Sequence, residues 1–147
     1  AIAEGERALA LGPNSDFVQA ALAFSLYHAG RFEEAMVLYK KAIRLSPIPP
    51  AWYLTGLGSC YREMGRYEEA ITEFKKGLHR APENPLTHLA LAANYSLMGR
   101  EKEARAATAQ ILTINPEFSL ERYAKILPFR QPMADRVVED LRKARLK

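Results

Sequence analysis

The chain has 147 residues, 48% of them hydrophobic and 26% charged, ordinary proportions for a globular protein long enough to bury a sizeable core. Its one cysteine, Cys60, excludes an internal disulfide framework, and no apolar run approaches the roughly 20 residues needed to span a bilayer. The net charge of +4 arises wholly in residues 119–147, with 8 basic and 4 acidic side chains, because residues 1–118 hold 13 of each.

The chain opens on Ala1 inside a predicted helix, so it is expected to be a piece of something longer. Residues 1–13, with Ala8, Leu9 and Leu11 ahead of Pro13, read as the second helix of a hairpin whose first helix is absent. Pro13, Pro47, Pro82 and Pro116 then recur at spacings of 34, 35 and 34. Seventeen residues before the last three stand Gly30, Gly65 and Gly99, and twelve before them Ala35, Ala70 and Ala104. Self-similarity at this period predicts an all-α solenoid of antiparallel helix pairs. Such a stack presents a surface and builds no reaction site of its own.

Within each unit, apolar residues recur at intervals of three and four on both sides of the glycine, the stripe of an amphipathic helix. The first unit has Leu22, Ala23 and Leu26, then Phe32, Ala35, Tyr39, Ala42, Ile43 and Leu45. The second has Trp52, Leu57, Gly58 and Tyr61, then Tyr67, Ala70, Phe74 and Leu78. The third has Leu91, Ala92 and Tyr95, then Ala104, Ile111, Leu112 and Ile114. Ala23, Gly58 and Ala92 share one frame position, as do Ala35, Ala70 and Ala104. Closely crossing helices need such small residues. The glycines are expected to end each first helix in a left-handed conformation, and the prolines to stop each second one. Asn84, and Asn14 or Ser15, are the expected N-caps. Glu101 and Thr108 replace the aromatics of the other units, so the third should pack less tightly or be covered by the residues C-terminal to it. Residues 119–147, where Met133, Val137, Leu141 and Ala144 fall on one helical face, read as a C-terminal helical cap on the stack.

The frame closely resembles the tetratricopeptide repeat (TPR) over residues 16–118. That likeness implies a right-handed superhelix with a half repeat at 1–13 and full repeats at about 16–49, 51–84 and 85–118. It also implies a concave groove that holds a protein or peptide. The family's groove positions fall on Phe17, Ala20, Phe24, Tyr27 and His28, on Trp52, Thr55, Ser59, Arg62 and Glu63, and on Leu86, Leu89, Ala93, Ser96 and Leu97. Tyr27 is expected as an exposed contact, while Phe17 and Trp52 either anchor a partner or pack against the next repeat. Members that clamp a C-terminal carboxylate use Lys and Asn at these positions, and none occurs here. Pro49-Pro50-Ala51-Trp52-Tyr53 and Asn115-Pro116-Glu117-Phe118-Ser119-Leu120-Glu121-Arg122 further resemble the repeat region behind bacterial class III adenylate/guanylate cyclase domains. Similar tails occur on winged-helix regulators. The resemblance implies a cytoplasmic signalling parent and gives this piece no catalytic residue.

The residues offer no competing chemistry. His28, His79 and His88 make no metal-ligand spacing with Cys60 or an acid, so no metal or cofactor is expected. Gly56-Leu57-Gly58 lies mid-helix without the strand or lysine of a phosphate loop. Glu33-Glu34 and Glu68-Glu69 stand at helix starts, where the dipole favours carboxylates. The fragment is therefore read as no enzyme. Two further contacts remain open. Arg142, Lys143, Arg145 and Lys147 could meet nucleic acid, although Glu121, Asp135, Glu139 and Asp140 break up the basic run and a solvated helix explains it as well. Ile2, Leu9, Phe17 and Phe24 would form an apolar face that invites self-association.

Overall fold

The computed structural model describes residues 1–119, together with Glu139 and Arg142. Among these, seven helices follow one another without a strand: α1 (Ile2–Leu11), α2 (Asp16–His28), α3 (Phe32–Leu45), α4 (Ala51–Glu63), α5 (Tyr67–Arg80), α6 (Pro85–Leu97) and α7 (Glu101–Ile114). The punctuation behaves as the sequence predicts. Gly30, Gly65 and Gly99 have φ of 83°, 76° and 74°, a region that a side chain would make costly. That conformation lets Arg31, Arg66 and Arg100 donate their backbone N–H to the carbonyls of Leu26, Tyr61 and Tyr95 at 2.8–2.9 Å, which closes each helix with a double-bonded turn. Each of α1, α3, α5 and α7 ends two residues before its proline. Asn84 accepts from the Leu86 N–H at 3.0 Å, and Ser15, not Asn14, accepts from Val18 at 3.2 Å.

A second device repeats beside each glycine. Arg31, Arg66 and Arg100 reach forward to Glu34, Glu69 and Glu103. Arg66 grips Glu69 with two bonds of 2.7 Å, and that grip holds the Glu69 carboxyl below its ordinary range. The guanidinium groups of Arg66 and Arg100 also lie 4.7 and 5.0 Å from the ring centroids of Tyr61 and Tyr95. These exposed pairs fasten each turn to the following helix and contribute modestly.

The contacts divide into two units, Ala1–Arg80 and Ala81–Lys147. In the first, α1 packs on α2, α2 on α3, α3 on α4 and α4 on α5, and α2 also meets α4. In the second, α6 packs on α7. The small frame positions are buried as the crossing requires: Ala23, Ala35, Ala70, Ala92 and Ala104 are at most 2% exposed. At Gly58 a β-carbon would stand 2.7 Å from the Phe74 ring, and at Gly56 one would stand 2.4 Å from Cζ of Tyr39. Gly56 is therefore a packing residue that receives a tyrosine. In α7, Thr108 is buried and donates its hydroxyl to the Ala104 carbonyl at 2.7 Å, which satisfies it where the other repeats place aromatics. The expected cap over 119–147, and the tail cations Lys143, Arg145 and Lys147, lie outside the described residues apart from Ser119, Glu139 and Arg142.

Candidate functional site

The fifteen groove positions divide by exposure. On α2 and α4, Phe17 is 63% exposed, Phe24 53% and Trp52 39%, and His28 is exposed as well. Phe17 and Trp52 hold the same frame position in consecutive repeats, and their rings meet edge to face at 6.3 Å. Phe24 packs on His28 at 4.4 Å in the same manner. These contacts place two aromatic pairs at the surface, and the edge-to-face arrangement is the one ring quadrupoles favour.

Beneath them the helices are tied by polar side chains. The Tyr27 hydroxyl donates to Oε1 of Glu63 at 3.1 Å and accepts from Nη2 of Arg62 at 3.1 Å. Arg62 is fully buried, lies 3.8 Å from Glu63 and stands 5.8 Å from the Phe74 ring centroid. Burial holds the Tyr27 phenol well above its ordinary value, with Arg62 working against the rise and Glu63 adding to it. The neutral hydroxyl thus bridges a cation and an anion, the arrangement a buried charge needs. At the other end of the same helices, the Tyr53 hydroxyl donates to Oδ2 of Asp16 at 2.8 Å. Burial, helped by that bond, pushes the Tyr53 phenol up to about 12.

This geometry corrects part of the expected groove. Tyr27, Arg62, Ala20, Ser59, Leu89 and Ala93 are buried, so they support the surface and present no side chain to a ligand. For Tyr27 and Arg62 the reason is mutual: each satisfies the other one repeat away. Thr55, Glu63, Leu86, Ser96 and Leu97 are half-buried, and the exposed positions of the set are Phe17, Phe24, His28 and Trp52. On the expected apolar face, Ile2 and Leu9 are half-buried, whereas Leu11, outside the expected set, is 90% exposed.

Cys60 is buried, and burial pushes its thiol up to about 12, with Arg62 opposing and Glu63 reinforcing. His88 of α6 lies 2.8 Å from the Pro82 carbonyl, a local link to the turn that precedes its helix. Among the described residues no three His, Cys, Asp or Glu side chains converge to hold a metal ion.

Two models of the tetratricopeptide repeat match the chain, over residues 15–83 and 61–127. The chain carries tetratricopeptide repeats. No curated protein matches it, and solved structures show the fold. MamA superposes with a TM-score of 0.74 at 22% identity, covering 97% of this chain and 84% of that one. Cut9, in the APC/C hetero-tetramer Cut9–Hcn1, gives 0.76 at 19% identity over 95% of this chain, which spans 25% of Cut9. The type III secretion chaperone SycD of Yersinia enterocolitica, in complex with a peptide of the translocator YopD, gives 0.68 at 20% identity over 86% and 89%. TPR packing accounts for the repeated glycines, prolines and small residues.

Proposed function

We propose that this TPR array is a protein–protein interaction module without catalytic activity of its own. It holds a partner segment against α2 and α4, with Phe17, Trp52, Phe24 and His28 as the contact residues. The observation that carries the reading is the exposure of the Phe17–Trp52 pair on two helices tied together by polar side-chain bonds, because exposed aromatics on a preorganised surface are characteristic binding anchors. The SycD structure, which holds a partner's peptide on the same fold, supports it. Truncating a central anchor of this kind costs about 2 kcal/mol, roughly thirtyfold in affinity. The test is a quantitative pull-down with Phe17→Ser and Trp52→Ser, whose positions are exposed enough to leave helicity unchanged. Loss of partners captured by the wild-type chain is expected, and an unchanged partner set from both variants would refute the groove.

The likeness of residues 49–53 and 115–122 to cyclase-associated repeats supports a finer reading, in which the array is the regulatory, cytoplasmic part of a bacterial signalling protein. The coding sequence ahead of Ala1 tests that directly. A cyclase domain there agrees, and a winged helix moves the array, with its basic tail, to a transcription regulator. Self-association is a second reading, favoured by the exposure of Leu11, Phe17 and Phe24. Light scattering across a concentration series tests it, and a constant monomer mass would end it.

A further inference from the structure

Away from the groove, the first unit opens a cleft of about 310 Å³ between α3 and α5, over α4. Its floor is Leu54, Leu57 and Tyr61, all buried. At 3.6 residues per turn these stand on roughly the opposite face of α4 from Trp52, Thr55 and Ser59. Three cations rim it: Lys40 and Arg44, one turn apart on α3, and Lys76 on α5. The single lining carboxylate, Glu73, is already engaged by Lys76 at 3.2 Å. Lys40 lies over the Tyr61 ring, 5.6 Å from its centroid. Among the described residues neither Lys40 nor Arg44 forms an ion pair. The nearby carboxylate that feels Lys40, Glu69, is held chiefly by Arg66.

We propose that this cleft binds a short acidic segment of a partner protein. One aliphatic side chain of the segment covers Leu54 and Leu57, and its flanking carboxylates meet Lys40 and Arg44. Charge complementarity selects the occupant, because three cations against one carboxylate around an apolar floor favour a ligand that is itself anionic and partly apolar. The volume, at the small end of ligand sites, suits a side chain with its backbone better than a lipid headgroup and acyl chain. The site is independent of the aromatic groove, so a single partner could engage either surface alone.

The experiment uses the whole chain and a capped pentapeptide with a central leucine between pairs of glutamates. Calorimetry and amide-shift mapping are expected to show binding that weakens with salt and shifts residues of α3 and α5. Arg44→Glu and Lys40→Glu should each weaken it about tenfold or more, as loss of a close charge pair does. Lys102→Glu, an exposed cation of α7, and Trp52→Ala should leave it unchanged. Each variant's melting curve shows whether it is folded, and Arg44, being exposed, keeps the test open if Lys40→Glu unfolds. No binding at millimolar peptide overturns the proposal. So does equal weakening by Lys102→Glu, loss on Trp52→Ala, or binding to phosphatidylserine vesicles in place of the peptide.

Discussion

Replacing Arg62 with alanine tests the buried tie between α2 and α4. The change removes a guanidinium that is 0% exposed, its 3.1 Å bond to Tyr27 and its contact with the Phe74 ring. It strands Glu63, whose side chain is only 6% exposed, without its cation. Breaking a buried pair from one side costs about 3–5 kcal/mol, because an uncompensated charge stays behind. For a chain of this length each kcal/mol lowers the melting temperature by about 2–4 °C, so a fall of roughly 10 °C is expected. Tyr27→Phe keeps the ring and loses the bridging hydroxyl, for about 1–2 kcal/mol. Because both substitutions break the same network, the double variant should show a coupling energy of about 1 kcal/mol or more. Arg62→Met combined with Glu63→Gln keeps the volume and removes both charges, and should recover much of the loss. Urea denaturation of the full chain followed by circular dichroism measures all four. A cost below about 1 kcal/mol for Arg62→Ala, or strict additivity with Tyr27→Phe, would refute the tie.

Gly56→Ala should destabilise despite the helix preference that favours alanine by about 1 kcal/mol, because the new β-carbon would meet Tyr39 at 2.4 Å. Overpacking of that kind costs about 1–3 kcal/mol, and a more stable variant by urea denaturation would contradict the packing role. Gly65→Ala meets nothing within 4 Å, so its expected loss of about 1–2 kcal/mol is the cost of the left-handed backbone alone. Cys60, buried with its thiol pushed up to about 12, should resist an aromatic disulfide reagent in the native chain at pH 8 and react fully in denaturant; rapid native labelling would count against it. Burial pushes the Tyr53 phenol up to about 12 in the folded chain, against an ordinary 10.0. Between these values the folded chain holds more protons than the unfolded one, so stability is full below pH 10 and falls as pH rises toward 12. Tyr53→Phe should flatten part of that fall in melting temperature between pH 10 and 12. Identical slopes would remove Tyr53 as a contributor.

The fold was legible because its determinants are local. A left-handed turn selects glycine, a helix stop is made by proline, and a close crossing tolerates only Ala or Gly, so these residues recur wherever the backbone does the same thing. Exposure was not legible, because it depends on what the neighbouring repeat places opposite. Tyr27 and Arg62 occupy one frame position, third before the glycine, which the family's pattern assigns to ligand contact. They are buried because residues one period apart come side by side on α2 and α4, where a phenol and a guanidinium satisfy each other. A signal was present: polar groups of complementary chemistry 35 and 36 residues apart, near the repeat length. The Arg31, Arg66 and Arg100 turns carried a plainer one, an arginine after every glycine with a glutamate three residues on. Gly56 left no such trace, since only the approach of Tyr39 explains it.

The polar ties also bear on the recognition surface proposed above. Apolar ridges between two short helices tolerate a slide of one turn at modest cost, because one aliphatic contact replaces another. A bond between Tyr53 and Asp16 at one end and the Tyr27–Arg62–Glu63 cluster at the other do not. A shift of one turn would unpair both at once and leave buried charge uncompensated, a penalty of several kcal/mol. The alignment of α2 with α4 is therefore fixed by chemistry that only one register satisfies. Phe17 and Trp52, next to Asp16 and Tyr53 in sequence, inherit that alignment, so their rings are held in contact before any partner arrives. A partner that docks on them meets little of the ordering cost that a mobile aromatic pair would impose.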